Sequence, residues 1–201
     1  MAARLVLRDV RSALAGPFSL ELAAGECVAV LGPSGAGKSL FLRMICDLDP
    51  NEGEATVNGA ARAQMSAPAW RAQVVYQPAE AAWWGASAAD HFSPQQLERV
   101  PALMAQLRLA PELLATDISR LSTGERQRMA LIRSLACQPQ VLLLDEPTAS
   151  LDQESVVAVE QLLLAELAGG LSIVLVTHAQ AQAQRLATRL LHMRDRQLYT
   201  A

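Results

Sequence analysis

Apolar and polar positions along the chain alternate with two periods, and the period changes from segment to segment. Residues 4–9 and 18–22 (Phe18-Ser19-Leu20-Glu21-Leu22) alternate apolar with polar, the pattern of half-buried antiparallel strands. Cys27–Leu31, Val141–Asp145 and 172–177 are instead continuous apolar runs, as expected of central parallel strands covered on both faces. Residues 73–76 give a further short strand. A turn cluster at Asp49–Gly53 leads into another that ends at Asn58-Gly59. Helical periods fill the gaps: Leu40–Ile45, a run beginning near Met129, and about 153–168, which Gly169-Gly170 should stop. Between about Ser87 and Thr116 the strand pattern disappears. That stretch is rich in Ala, Leu and Gln, is broken by Pro94, Pro101 and Pro111, and reads as a small helical insert. The alternation of strand and helix predicts an α/β fold around a mainly parallel sheet, with an N-terminal antiparallel β region.

Composition bounds the reading. The chain has 201 residues, of which 51% are hydrophobic, enough for one domain with a sizeable core or a core domain carrying a small insert. With a net charge of −3, no strong field for nucleic acid is expected. Cys27, Cys46 and Cys137 are widely spaced and form no Cys-x-x-Cys pair, so all three are expected to be buried, reduced thiols in a cytosolic protein. No signal peptide is visible after Met1, and no apolar run approaches the ~18 residues of a membrane span.

The densest chemistry lies at Gly32-Pro33-Ser34-Gly35-Ala36-Gly37-Lys38-Ser39, with Leu40 opening the following helix. It matches the phosphate-binding pattern G-x-x-x-x-G-K-[S/T], set between an apolar strand and a helix. Glycines let the backbone turn its N–H groups onto a phosphate, and the helix N-terminus adds partial positive charge. Lys38 is placed to reach the β- and γ-phosphates, and Ser39 to ligate Mg²⁺. A second site follows from Val141–Glu146. A buried strand ending in carboxylates puts them at the carboxyl edge of the sheet. Asp145 is placed to hold Mg²⁺ through water, opposite Ser39, and Glu146 to act on the attacking water. At Leu121-Ser-Thr-Gly-Glu-Arg-Gln-Arg128, Ser122 reads as a helix N-cap with Glu125 closing a capping box. The plain reading is a well-capped helix; the functional one is a second anion site at the helix N-terminus, with Ser122 and the Gly124 backbone facing phosphate.

With these motifs in order, the whole chain resembles the ATP-binding-cassette ATPases, the nucleotide-binding domains of ABC transporters. Gly32–Ser39 is similar to their Walker A motif and Val141–Glu146 to Walker B. Leu121–Glu125 resembles the signature Leu-Ser-Gly-Gly-Gln, with Thr123 and Glu125 as departures. Ser150-Leu151-Asp152 resembles the D-loop, and His178 the switch histidine that contacts the γ-phosphate. The resemblance implies an ATPase with ATP and Mg²⁺. Its core would comprise 1–82 and 119–201, with 83–118 as helical subdomain. Glu146, His178 and Lys38 would be catalytic, and Ser122, Gly124 and Glu125 would serve the nucleotide of a second subunit. It also implies a homodimer around two ATP molecules, an integral membrane permease as partner, and a place on the cytoplasmic face of the inner membrane.

Two positions depart further. Leu14 stands where the family usually carries an adenine-stacking aromatic residue. The family's Q-loop spacing from Tyr76 falls on Ala79; Gln77 fills that metal-binding role only with a register shift of two, and is the residue favoured here. Loop texture in 71–92, 121–133 and 141–152 looks most like ATP-binding subunits of iron-export type. Trp83-Trp84 are expected to divide, one packing into the core and the other lining a permease-docking groove. A soluble ABC ATPase acting on DNA or the ribosome is the alternative class.

Overall fold

The computed structural model describes residues 3–200. In chain order it contains β1 (Ala3–Arg11), β2 (Phe18–Ala23), β3 (Cys27–Leu31), α1 (Lys38–Ile45), β4 (Glu52–Val57), β5 (Ala60–Ala61), α2 (Ala67–Gln73) and β6 (Val74–Gln77). There follow α3 (Pro94–Leu97), α4 (Val100–Gln106), α5 (Thr123–Ala136), β7 (Val141–Asp145), α6 (Gln153–Ala168), β8 (Ser172–Val176), α7 (Gln180–Leu186), β9 (Arg189–Arg194) and β10 (Gln197–Thr200). The strands form two sheets. One is antiparallel in the order β2-β1-β4-β5; the other runs β10-β9-β3-β8-β7-β6 and is parallel except for the edge strand β10.

The central strands explain how the layers stack. Every residue of β3, β7 and β8 is buried. Successive side chains point to opposite faces of a strand, so each of these strands feeds two cores. Cys27, Ala29, Leu142, Leu144, Ile173 and Leu175 pack on one face with α4, α5 and α6. Val28, Val30, Val141, Leu143, Val174 and Val176 pack on the other, with α1 and the antiparallel sheet. That second core is closed by the alternating inward residues Leu5 and Leu7 of β1 and Phe18, Leu20 and Leu22 of β2. Phe18 meets Phe41 of α1 edge-on, with ring centroids 4.8 Å apart.

Helix ends follow their caps. Ser122 accepts a hydrogen bond from the Glu125 backbone N–H, and the Glu125 carboxylate accepts from the Ser122 backbone, completing the expected capping box on α5. Asp152 caps α6 through the Ser155 N–H, and α6 ends at Gly169, with Gly170 at φ 96° reversing the chain. Between residues 87 and 116 the chain carries only helical elements and turns, apart from an isolated bridge between Ser87 and Asp117. Sequence periodicity missed α2, α7 and the hairpin β9–β10. The first two are only seven residues each, too short to show a helical period.

One expectation is corrected. Cys27 and Cys46 are buried, but Cys137 is exposed, because it is the C-cap residue of α5, beyond the face that packs on the core. Burial pushes the Cys27 thiol up to about 12 and the Cys46 thiol to about 11. The thiolate is the nucleophile, so Cys137 alone is expected to react with a maleimide in the folded protein. Cys27 and Cys46 should label only after denaturation; rapid labelling of all three without denaturant would contradict the packing of both cores.

Candidate functional site

The chain leaves β3 at its carboxyl end and turns through Gly32, Gly35 and Gly37, at φ 155°, 77° and 102°, into α1. Gly37 is the N-cap of α1; no side chain caps this end and its first turn holds no acidic residue. The helix N-terminus therefore presents uncompensated partial positive charge. Lys38, only 7% exposed, folds back so that its Nζ donates to the carbonyls of Gly32 at 2.8 Å and Pro33 at 2.9 Å. Burial lowers its pKa, while Glu146 and Asp145 pull the other way.

Three neighbouring strand ends complete a cleft of about 440 Å³. β7 delivers Asp145 and Glu146, and the turn after β8 delivers His178. Asp145 is buried and accepts a hydrogen bond from the Tyr76 hydroxyl at 3.1 Å. Burial, and then the Asp145 carboxylate, push the Tyr76 hydroxyl pKa well up, so it stays a donor. Glu146 sits at φ 48°, its N–H bonded to the Val176 carbonyl, so the chain turns sharply just past the strand. Its Oε2 accepts from the His178 backbone N–H at 3.2 Å, and its Oε1 lies 3.2 Å from His178 Nε2. The orientation of that second pair makes no hydrogen bond, so Oε1 is a buried acceptor with no donor of its own. Burial raises the Glu146 pKa, against the lowering influence of the His178 backbone N–H, the His178 ring and Lys38.

Ser34, Gly35, Gly37, Lys38, Ser39 and Leu40 line this cleft, whereas Gly32, Pro33 and Ala36 do not. Gly32 and Pro33 serve through the carbonyls that hold Lys38, and Ala36 is buried against the core. Leu14 and Ala79 also line it. Gln77 does not: it ends β6, is buried with its Oε1 unpartnered, and lines a neighbouring cavity of about 360 Å³ between residues 77–83 and α5. Ser122, Gly124 and Glu125 lie outside the cleft in the same chain. Glu125 is kept ionised by the Ser122 backbone and hydroxyl, both of which donate to its Oε2 at 2.8 Å.

Several residues that matter to this geometry were not singled out in the sequence. Gln127 of α5 donates to the Glu146 carbonyl at 2.9 Å and accepts from the Ser150 N–H at 3.3 Å. Buried Gln182 joins Thr148, Thr177 and Glu160, beneath the segments that carry Glu146 and His178. Arg196 reaches the cleft from the β9–β10 turn. Glutamines and arginines inside amphipathic stretches look like ordinary helix or hairpin surface; only tertiary placement reveals these. Of the tryptophans, half-buried Trp83 packs against the core and also lines the cavity beside Gln77. Trp84 is 76% exposed and stacks edge-on with His91 at 4.4 Å. One tryptophan is packed and the other exposed, as expected, and it is the packed Trp83 that lines this cavity.

A model of the ABC transporter family matches residues 16–149. The chain belongs to this family. It is 37% identical over 198 residues to an Fe(3+) ions import ATP-binding protein of Pseudomonas fluorescens, covering 92% of this chain and 55% of that one. The chain spans about half the length of the first such relatives. The iron-export type gains no support from a relative named for import. Among solved structures, the ATP-binding subunit of an ABC transporter superposes with TM-score 0.87 at 24% identity, covering 98% of this chain and 89% of the other. An ATP-binding cassette solved as a dimer in a post-hydrolysis state with ADP and Pi gives 0.84 at 21%, covering 98% of each chain. At these identities the likeness shows the fold: the P-loop ABC ATPase fold, with its parallel sheet and antiparallel β region.

The phosphate loop has unequal tolerance for side chains. A Cβ on Gly32 would collide with the Met193 carbonyl oxygen of β9, whereas one on Gly35 meets nothing within 4 Å. Gly32→Ala should lose about 3 kcal/mol or more of stability in urea melts, from backbone displacement. Gly35→Ala carries only the positive-φ penalty of about 1 kcal/mol. Equal losses would show that the loop does not pass against β9 in this way.

Proposed function

We propose that this chain is the ATP-binding and ATP-hydrolysing component of an ABC transporter, closing as a pair around two ATP molecules to drive a membrane permease on a separate chain. One observation carries the reading. Separate segments bring Lys38, Ser39, Asp145, Glu146 and His178 to a single cleft, and Glu146 Oε1 is buried there beside the His178 ring without a donor. A buried acceptor without a partner is costly, and a small shift of the Glu146 or His178 side chain that admits a water would satisfy it. Family membership supports ATP as the nucleotide. The uncapped N-terminus of α1 and the third N–H of Lys38, two being held by carbonyls, are the donors for its phosphates. Glu146 takes the proton of the attacking water, and its raised pKa suits it to that task. His178, against the same carboxylate, steadies it and meets the γ-phosphate.

Of the oxygen-bearing side chains that line the cleft, Ser34, Ser39, Asp145 and Glu146, the Ser39 hydroxyl and the Asp145 carboxylate are the two assigned to a metal. Among the described residues no group of three or more His, Cys, Asp or Glu could hold a metal. Two protein donors suit Mg²⁺, which keeps several waters and takes phosphate oxygens; when bound, it offsets phosphate charge. The Tyr76 hydrogen bond fixes the Asp145 carboxylate for that use. Gln77 is a third candidate donor through its unpartnered oxygen, and serves only by leaving the neighbouring cavity. Ser122, Gly124 and Glu125 lie outside the cleft of their own chain, which supports their use on a second subunit's nucleotide. Among the described residues no helix is long and apolar enough to cross a membrane. This fits a chain held at the cytoplasmic face by the permease, with residues 83–118 as the subdomain that meets it.

Glu146→Gln should retain ATP binding and lower turnover about 100-fold or more, so that a nucleotide-bound dimer accumulates on a sizing column. Near-normal hydrolysis would remove Glu146 from its role.

Ser122→Arg should abolish hydrolysis with little change in monomer ATP affinity, whereas Lys38→Ala should weaken binding itself by loss of a charge-assisted contact. Mixing the two inactive proteins should restore part of the activity through hybrid dimers with one intact site. Inactive mixtures that nevertheless contain heterodimers would rule out sites shared between subunits.

A further inference from the structure

Where the β9–β10 turn comes against the phosphate loop, beside residues 33–36, the chain builds a contact that also reaches the 12–16 loop. β9 and β10 are joined by only two residues, Asp195 and Arg196, at φ 49° and 60°. Positive φ at both positions defines the tight hairpin turn that normally takes glycine second, because a side chain there is strained. Here the second residue is an arginine, and its side chain lines the cleft together with Leu14. Its Nη1 donates to the Leu14 carbonyl at 2.9 Å, and the Gly16 N–H donates to the Arg196 carbonyl at 3.2 Å, so the 12–16 loop and the hairpin hold each other. Its stem runs beside Gly37, where an added Cβ would lie 3.3 Å from Arg196 Cγ. Arg196 takes no part in any ion pair among the described residues.

We propose that Arg196 is the base-recognition residue of the nucleotide site, its planar guanidinium lying on the face of the nucleobase while Leu14 covers the base edge. The proposal rests on the nucleotide reading above and specifies how that site holds the part of the ligand beyond the phosphates. No Phe, Tyr or Trp lines the cleft, and its one aromatic ring, His178, stands beside Glu146, its Nε2 3.2 Å from that carboxylate. A π-face contact therefore has to come from Arg196, whose guanidinium stacks on aromatic rings as a lysine ammonium does not. The hydrogen bond to Leu14 orients that plane in advance. A strained residue kept in a glycine's place is accounted for by such a contact.

The test is calorimetric titration with magnesium ADP and, separately, magnesium pyrophosphate, neither of which turns over. Arg196→Gly removes the side chain and relieves the turn, so its melting temperature should hold or rise. It should weaken ADP about tenfold, the effect of a partly desolvated cation–π contact, and leave pyrophosphate within about twofold. Arg196→Lys should lose most of the same affinity although the charge remains. Adding Leu14→Tyr to Arg196→Gly should restore ADP binding by supplying a ring. Equal losses for ADP and pyrophosphate would make Arg196 a phosphate contact and overturn the proposal, as would full ADP affinity in both variants. Wild-type protein that binds neither compound would instead sink the nucleotide reading of the cleft itself.

Discussion

A strand buried on both faces has nowhere to place a polar side chain except at its ends. β3, β7 and β8 are such strands, and the structure is organised by that constraint. A polar side chain in mid-strand would be buried without partners at a cost of about 1–3 kcal/mol or more. Chemistry is therefore expelled to the carboxyl ends, where Gly32, Asp145 and Thr177 follow or finish the apolar runs. Because neighbouring strands are parallel and in register, with Leu144 beside Leu175 and Asp145 beside Val176, those ends are coplanar and their loops converge. The cleft is a by-product of making the core dry.

Inside the cleft, opposite charges compensate one another. Lys38 is desolvated, which disfavours its cation, yet faces Glu146 and Asp145, which favour it. Glu146 is desolvated in turn and has the His178 N–H and Lys38 to hold its charge. Tyr76 donates to Asp145, and the buried Gln182 group ties down the loops behind. None of these charges is fully satisfied by its neighbours. A polyanionic ligand enters a site already arranged for it, with little reorganisation left to do.

How much of this could be read from the sequence depended on the range of the signal. The strands, α5 with its capping box and α6 with its glycine stop are local patterns of period or spacing, and the structure contains them. The phosphate loop and the Asp145-Glu146 strand end were legible for the same reason: each is contiguous. Tyr76 on Asp145, 69 residues apart, and Gln127 on both Glu146 and Ser150 are pairings that only the register of β6 on β7 and the packing of α5 create. Cys137 was misplaced because helical periodicity does not say where a helix stops packing. Gln77 and Ala79 differ in the opposite sense: the spacing rule pointed at residue 79, and it is Ala79 that lines the cleft, though it has no donor to offer.

The Gln127 side chain has a consequence for timing. Its amide grips the Glu146 carbonyl with one end and the Ser150 N–H with the other, and it is carried on the helix whose first turn holds Ser122 and Gly124. In the proposed pair, that first turn belongs to one nucleotide and Glu146 to the other. A displacement of α5 at either nucleotide must be shared with the second or break two hydrogen bonds. In such a pair the two nucleotide sites would be geared together through each subunit, and substituting Gln127 would loosen the cooperativity between them before it touched the chemistry of either.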